Sequence, residues 1–135
     1  MHCSLLYNII AIVCPNKLVV IFFTRSALVS NITIDTCVSA KAANQGIDTY
    51  YGLMNVSILN CTIEANSIGD ENGFVNETAG IKIYANRTYI AYNLIRDNFG
   101  HGIAVVSEYT IYTSKSTFNV TITRNSIYNN SKLGI

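Results

Sequence analysis

The chain lacks tryptophan, has one proline, and carries charge on only 13% of its residues. Its 9 Lys+Arg against 8 Asp+Glu form no basic run, so the electrostatic footprint of a nucleic-acid binder is missing. The four cysteines (Cys3, Cys14, Cys37, Cys61) include no CxxC and no Cys/His ligand spacing, which argues against a zinc site. With so little charge, the polar surface must be made of Asn, Ser, Thr and Tyr. Half of the 135 residues are hydrophobic, enough to build the core of one domain and too many for a disordered chain. A helical period of 3.6 is absent as well, and a period of another kind replaces it.

Residues 55–66, 87–98 and 119–130 align without gaps at an offset of 32. Isoleucines fall in register at 58, 90 and 122 and again at 63, 95 and 127. Asparagines do so at 66, 98 and 130, and at 93 and 125, where the first copy has Cys61. A fixed period marks a solenoid of stacked coils. Gly-Ile pairs at 46–47, 80–81, 102–103 and 134–135 supply a second marker. They reveal a fourth, degenerate coil starting near Ile32, with Cys37 in the Asn column. They also place ten-residue insertions near 67–79 and 108–117, and removing ten from the offset leaves a coil of about 22 residues. Apolar-in, polar-out alternation over short stretches is the signature of strands. The expectation is therefore an all-β, right-handed parallel β-helix over 31–135, coming from a longer helix because it stops in mid-coil at Gly134-Ile135. An uncapped last rung would self-associate edge to edge.

In this reading Asn sits at the corners because it tolerates left-handed backbone, and stacked Asn side chains form an amide ladder. Glycine supplies the next corner. Cys37 and Cys61 occupy one ladder position on neighbouring coils, about 4.8 Å apart, so they are either a pair of buried free thiols or a disulfide. Residues 1–30 are strongly apolar but broken by Pro15-Asn16-Lys17. They read either as a signal or membrane anchor, or as a cap or first coil whose strand is Val19/Ile21/Phe23.

This pattern, over about three quarters of the chain, resembles the right-handed β-helix repeats of the pectate-lyase-like superfamily. It is closest to the carbohydrate-binding and sugar-hydrolase (CASH) type found in bacterial and archaeal surface proteins. The closing run 125–135 looks especially like such a repeat. The resemblance implies a fold and leaves the activity open, because these repeats are scaffold.

Gly100-His101-Gly102 invites comparison with the Gly-His-Gly motif of polygalacturonases, but the Asn-x-Asp and Asp-Asp motifs that supply their paired carboxylates, and the Arg-x-Lys that should follow, are absent from this sequence. Gly102 is already accounted for as a repeat glycine. His101, Asp97 and Arg96 are accordingly weak catalytic candidates. Asp70, Glu71 and Glu77 form the one acidic cluster, a candidate calcium site that a solvated loop explains equally well. Glu64 aligns beside Arg96 on the next coil, as a cross-strand ion pair would. Tyr89, Tyr92, Arg124 and Tyr128 make the candidate carbohydrate-binding face, since a tyrosine ring can stack on a sugar while its hydroxyl hydrogen-bonds. Ordinary cross-strand packing of aromatics is the alternative. The insertion carrying Tyr109 and Tyr112 is expected to rim that face.

Seven Asn-x-Ser/Thr sequons, at Asn31, Asn55, Asn60, Asn76, Asn86, Asn119 and Asn129, suggest a secreted glycoprotein, with Asn76 the best acceptor. Repeat periodicity itself generates several of them. The chain thus reads as an extracellular or cell-surface scaffold whose partner is a polysaccharide or surface glycan, with no nucleic acid and no cofactor beyond the calcium candidate. The enzymatic alternative is a remnant of a polysaccharide lyase, hydrolase or epimerase acting on acidic polysaccharide.

Overall fold

The computed structural model describes residues 2–6, 9–13, 21–22, 30–49, 53–68, 78–109, 114–115 and 117–135. Chain order gives β1 (His2–Leu6), β2 (Ile9–Val13), β3 (Ile21–Phe22), β4 (Ser30–Asp35), β5 (Val38–Ala40), β6 (Ile47–Thr49), β7 (Met54–Leu59) and β8 (Thr62–Glu64). It continues with β9 (Ala79–Ile83), β10 (Asn86–Ala91), β11 (Leu94–Arg96), β12 (His101–Val105), β13 (Glu108–Tyr109), β14 (Ser114–Lys115), β15 (Val120–Thr123) and β16 (Ser126–Tyr128). The first sheet stacks β2, β4, β7, β10 and β15 in parallel, the second β5, β8, β11 and β16, and the third β3, β6, β9 and β12. The turns β4–β5–β6, β7–β8–β9 and β10–β11–β12 each visit the three sheets once, which makes the molecule a three-sided parallel β-helix. On the first sheet, β1 adds antiparallel to β2.

The registers follow the repeat. Ile58 pairs with Ile90 and Ile90 with Ile122, while Ile63 pairs with Ile95 and Ile95 with Ile127. Ile34 joins the first column, which identifies the degenerate fourth coil. On the third sheet Ile81 lies beside Ile103, 22 residues on, the coil without its insertions. These side chains fill the interior. Ile32, Ile34, Ile58, Ile63, Ile81, Ile90, Ile95 and Ile103 are fully buried, each contributing roughly 1.5–3 kcal/mol of transfer free energy. Thr88 replaces an apolar residue in this core without penalty to hydrogen bonding, because its hydroxyl donates to the Ala85 carbonyl at 3.1 Å.

The corners obey a rule the sequence reading misplaced. Left-handed backbone recurs at three positions of every coil, Asn31/Asn55/Arg87/Asn119, Thr36/Asn60/Tyr92/Arg124 and Lys41/Ala65/Asp97/Asn129, with one further instance at Ser67. The ladder asparagines themselves (66, 93, 98, 125, 130) are not left-handed; each follows the left-handed residue. The division of labour is physical: one residue reverses the chain, and the next points its amide inward to bond the neighbouring coil. Non-glycine residues in this region cost about 1–2 kcal/mol each. Ala65 (φ 50°) has no side-chain hydrogen bond to offset that cost, so Ala65→Gly is expected to stabilise the fold by about 1 kcal/mol, read as a higher unfolding midpoint.

The repeat glycines also differ from expectation. None of Gly46, Gly80 or Gly102 has positive φ; they are required for space. A Cβ on Gly80 would lie 2.8 Å from Asn98 Nδ2 and 3.0 Å from Ile63 Cγ2, inside the ladder corner.

Both insertions flank the third sheet, one before β9 and the other after β12. The described part of the second is the antiparallel pair β13–β14. It is closed by the Thr117 hydroxyl donating to the Val106 carbonyl at 2.6 Å and the Thr117 N–H donating to Ser107 Oγ at 3.1 Å.

Candidate functional site

Alternation of the strand places Tyr89 on the outer face of the first sheet, in line with Ser57 and Thr121 and 39% exposed. Tyr92 stands three residues later at a left-handed corner between the first and second sheets, with Arg124 at the same corner one coil on. The left-handed turn presents both side chains to solvent, where the Arg124 guanidinium lies 5.5 Å from the Tyr92 ring centroid and donates to its hydroxyl. Stacking holds the planar cation in one orientation, and among the described residues no carboxylate pairs with it. Tyr128 is exposed on the second sheet, in register with Arg96. The four residues therefore form a ridge wrapping one edge of the prism rather than a single flat face.

Arg96 is committed elsewhere. Its guanidinium contacts Glu64 at 2.7 Å across adjacent strands and Asp97 at 3.3 Å, and the Glu64 charge holds it protonated above its ordinary range. Asp97 serves as a left-handed corner, and His101 Nδ1 accepts the Leu133 N–H at 3.3 Å. Arg96 and Asp97 are thus brought together as a structural ion pair, while the His101 imidazole is engaged with the following coil. Asp70, Glu71, Glu77 and Tyr112 lie outside the described residues. Among the described residues, no three His, Cys, Asp or Glu side chains converge to hold a metal ion.

Sequence reasoning missed a second polar feature. Asp48 and Lys82 pair in register on the third sheet between fully buried neighbours, so alternation puts them on its outer face; yet both are more than nine-tenths buried. The Lys82 ammonium sits 5.1 Å from the Tyr84 ring, and Asp48 Oδ1 has no hydrogen-bond partner. No periodicity flagged this pair, because Asp48 and Lys82 are the only matched charges in an otherwise variable column ending at Ala104.

Burial pushes the Asp48 carboxyl up to about 6, against the opposing pull of Lys82. Because the folded pKa exceeds the unfolded value, the contribution of Asp48 to stability is greatest at acidic pH. It is lost as pH rises through the window from about 4 to about 6. Asp48→Asn is expected to remove that component, so the two melting-temperature profiles converge at low pH and separate above pH 6, with the variant higher. Parallel profiles would contradict the assignment.

An open hollow of about 350 Å³, lined by His101, Ile103, Ala104, Val105, Leu133 and Ile135, continues the third sheet at the end of the stack. The ridge lies on another edge.

Among families of known proteins, the one described as right handed beta helix region matches residues 20–135. No curated protein and no solved structure matches the chain.

Proposed function

The chain belongs to the right-handed β-helix family, and from that premise we propose that it is a non-catalytic scaffold, secreted or displayed on a cell surface, that binds carbohydrate along the ridge of Tyr89, Tyr92, Arg124 and Tyr128. The observation that carries this reading is the exposed Arg124–Tyr92 stack. It offers an apolar plane to a sugar ring and, at its margin, guanidinium donors already oriented for hydroxyl or carboxylate oxygens. Preorganisation limits the entropy lost on binding. Extracellular placement is supported by five sequon asparagines (Asn31, Asn55, Asn60, Asn119, Asn129) that are exposed at corners. Asn86 is half-buried, and Asn76 lies outside the described residues.

The test is retention of the purified protein on pectin, alginate and neutral glycans, with supernatants read for unsaturated products and new reducing ends. Binding without products is the expected outcome. Tyr92→Ala and Arg124→Ala should each weaken binding by about tenfold or more, because an aromatic or arginine anchor at a binding surface is worth over 1 kcal/mol. Their unfolding midpoints should barely move. Products would instead establish the lyase, hydrolase or epimerase alternative, and failure to bind any glycan would overturn the proposal.

A further inference from the structure

One column of the Asn ladder has two interruptions, and they are neighbours. In the column Cys37–Cys61–Asn93–Asn125, each asparagine Oδ1 accepts the backbone N–H of the coil before it, at 2.9 Å for both Cys61→Asn93 and Asn93→Asn125. Each amide Nδ2 also donates to a carbonyl of that coil, from Asn93 to Ile58 and from Asn125 to Ile90, at 2.9 Å in both cases. Where cysteine takes over, the cohesion thins. The Cys37 N–H reaches the Cys61 sulfur at 3.4 Å, and the Cys61 thiol, which donates to the Leu59 carbonyl of its own coil at 3.0 Å, stands 3.8 Å from the Ile34 carbonyl that an amide would bond.

The coils are nevertheless held in register on both sides of the pair. The Thr36 N–H donates to the Leu59 carbonyl at 3.1 Å, and the Thr62 N–H donates to the Cys37 carbonyl at 2.9 Å. The two cysteines are therefore stacked at the spacing of adjacent strands, about 4.8 Å, within the Cα separation a disulfide spans. The Cys61 sulfur reaches across to the coil before it, 3.4 Å from the Cys37 backbone nitrogen. Both cysteines are buried thiols with no disulfide between them.

We propose that Cys37 and Cys61 are a latent inter-coil cross-link, a disulfide site that staples the two coils where the amide ladder is interrupted. Oxidation removes one hydrogen from each thiol and forms one S–S bond. A low-molecular-weight disulfide such as glutathione disulfide is reduced to two thiols in exchange. The folded coil resists this chemistry, because the sulfurs are covered and burial raises the Cys61 thiol to about 11, leaving little thiolate to attack. The bond accordingly forms as the coils close during folding, and once made it is shielded from reductant.

The test is to refold the full chain from denaturant in an excess of glutathione disulfide, and in parallel in dithiothreitol. Non-reducing tryptic peptide mapping then asks whether the peptide containing Cys37 is joined to that containing Cys61, two hydrogens lighter. The joined species is expected to dominate over pairings with Cys3 or Cys14. Because the bridge closes a loop between residues 24 apart, the oxidised protein should melt roughly 10 °C above the reduced one. Cys61→Ser should abolish that difference. If that variant fails to fold, the mapping of the unsubstituted chain decides alone. Alkylation of both thiols after oxidative refolding would overturn the proposal, as would a joined species that melts below the reduced protein.

Discussion

Asn98→Ala is expected to lower stability by about 4 kcal/mol, the largest effect of any side-chain truncation in the ladder. Asn98 is fully buried and spends its whole amide on other coils. Its Oδ1 accepts the Asn66 N–H at 3.0 Å and one Asn66 Nδ2–H at 3.1 Å; its Nδ2 donates to the Ile63 carbonyl at 3.3 Å and to Asn130 Oδ1 at 2.8 Å. Alanine orphans two donors and a carbonyl where water cannot reach, each costing roughly 1–3 kcal/mol. The check is thermal or urea unfolding beside Asn130→Ala, whose site is only half-buried, so its loss should be clearly smaller. Asn98→Asp makes the chemistry explicit. It keeps the acceptors, loses both donors and introduces a buried charge, so it should be worse than alanine at neutral pH and partly recover in acid. Equal midpoints for the parent and Asn98→Ala would show that the column is ornamental.

Gly100→Ala should be comparably damaging, at roughly 3 kcal/mol or more, for a steric reason. A Cβ there would lie 2.1 Å from the Thr78 carbonyl oxygen and 2.5 Å from its carbon. That carbonyl is pinned, since it accepts the His101 N–H at 2.8 Å, so neither strand can yield without breaking the β9–β12 pairing. Gly134→Ala is the control: the nearest contact of its Cβ would be Ile127 Cγ2 at 3.6 Å, ordinary van der Waals distance, and its midpoint should hardly change. The contrast separates a glycine against which a neighbouring coil presses from one with room beside it.

Much of the scaffold was legible because the solenoid repeats a local rule. An isoleucine at 58 that must be covered by its neighbours dictates isoleucines at 90 and 122, so the period is written directly into the chain. The ladder was legible for the same reason: an amide that bonds its own kind one coil away has to recur in register. The left-handed corners were not, since their column holds Asn, Thr, Tyr, Arg, Lys, Ala and Asp indiscriminately. There the conformation is imposed by pairing on either side, and local preference is overruled. Glycine was misread in kind: the repeat marked its position, but its reason, the amide and isoleucine pressed against it, exists only once the coils are stacked.

The site shows the same boundary. Sequence alone named Tyr89, Tyr92, Arg124 and Tyr128 as a polar-aromatic group, and register alone paired Glu64 with Arg96. Folding decided that the four wrap an edge, that Arg124 stacks on Tyr92 while Arg96 is taken by carboxylates, and that Asp48 and Lys82 are buried together on another sheet. What the sequence determined by itself is what depends on periodic burial: the coil, its three short strands, its apolar columns and its ladder. What only the tertiary structure decided depends on distances across coils and corners, where a side chain's solvent exposure, charge partner and room are set by residues that no local pattern relates.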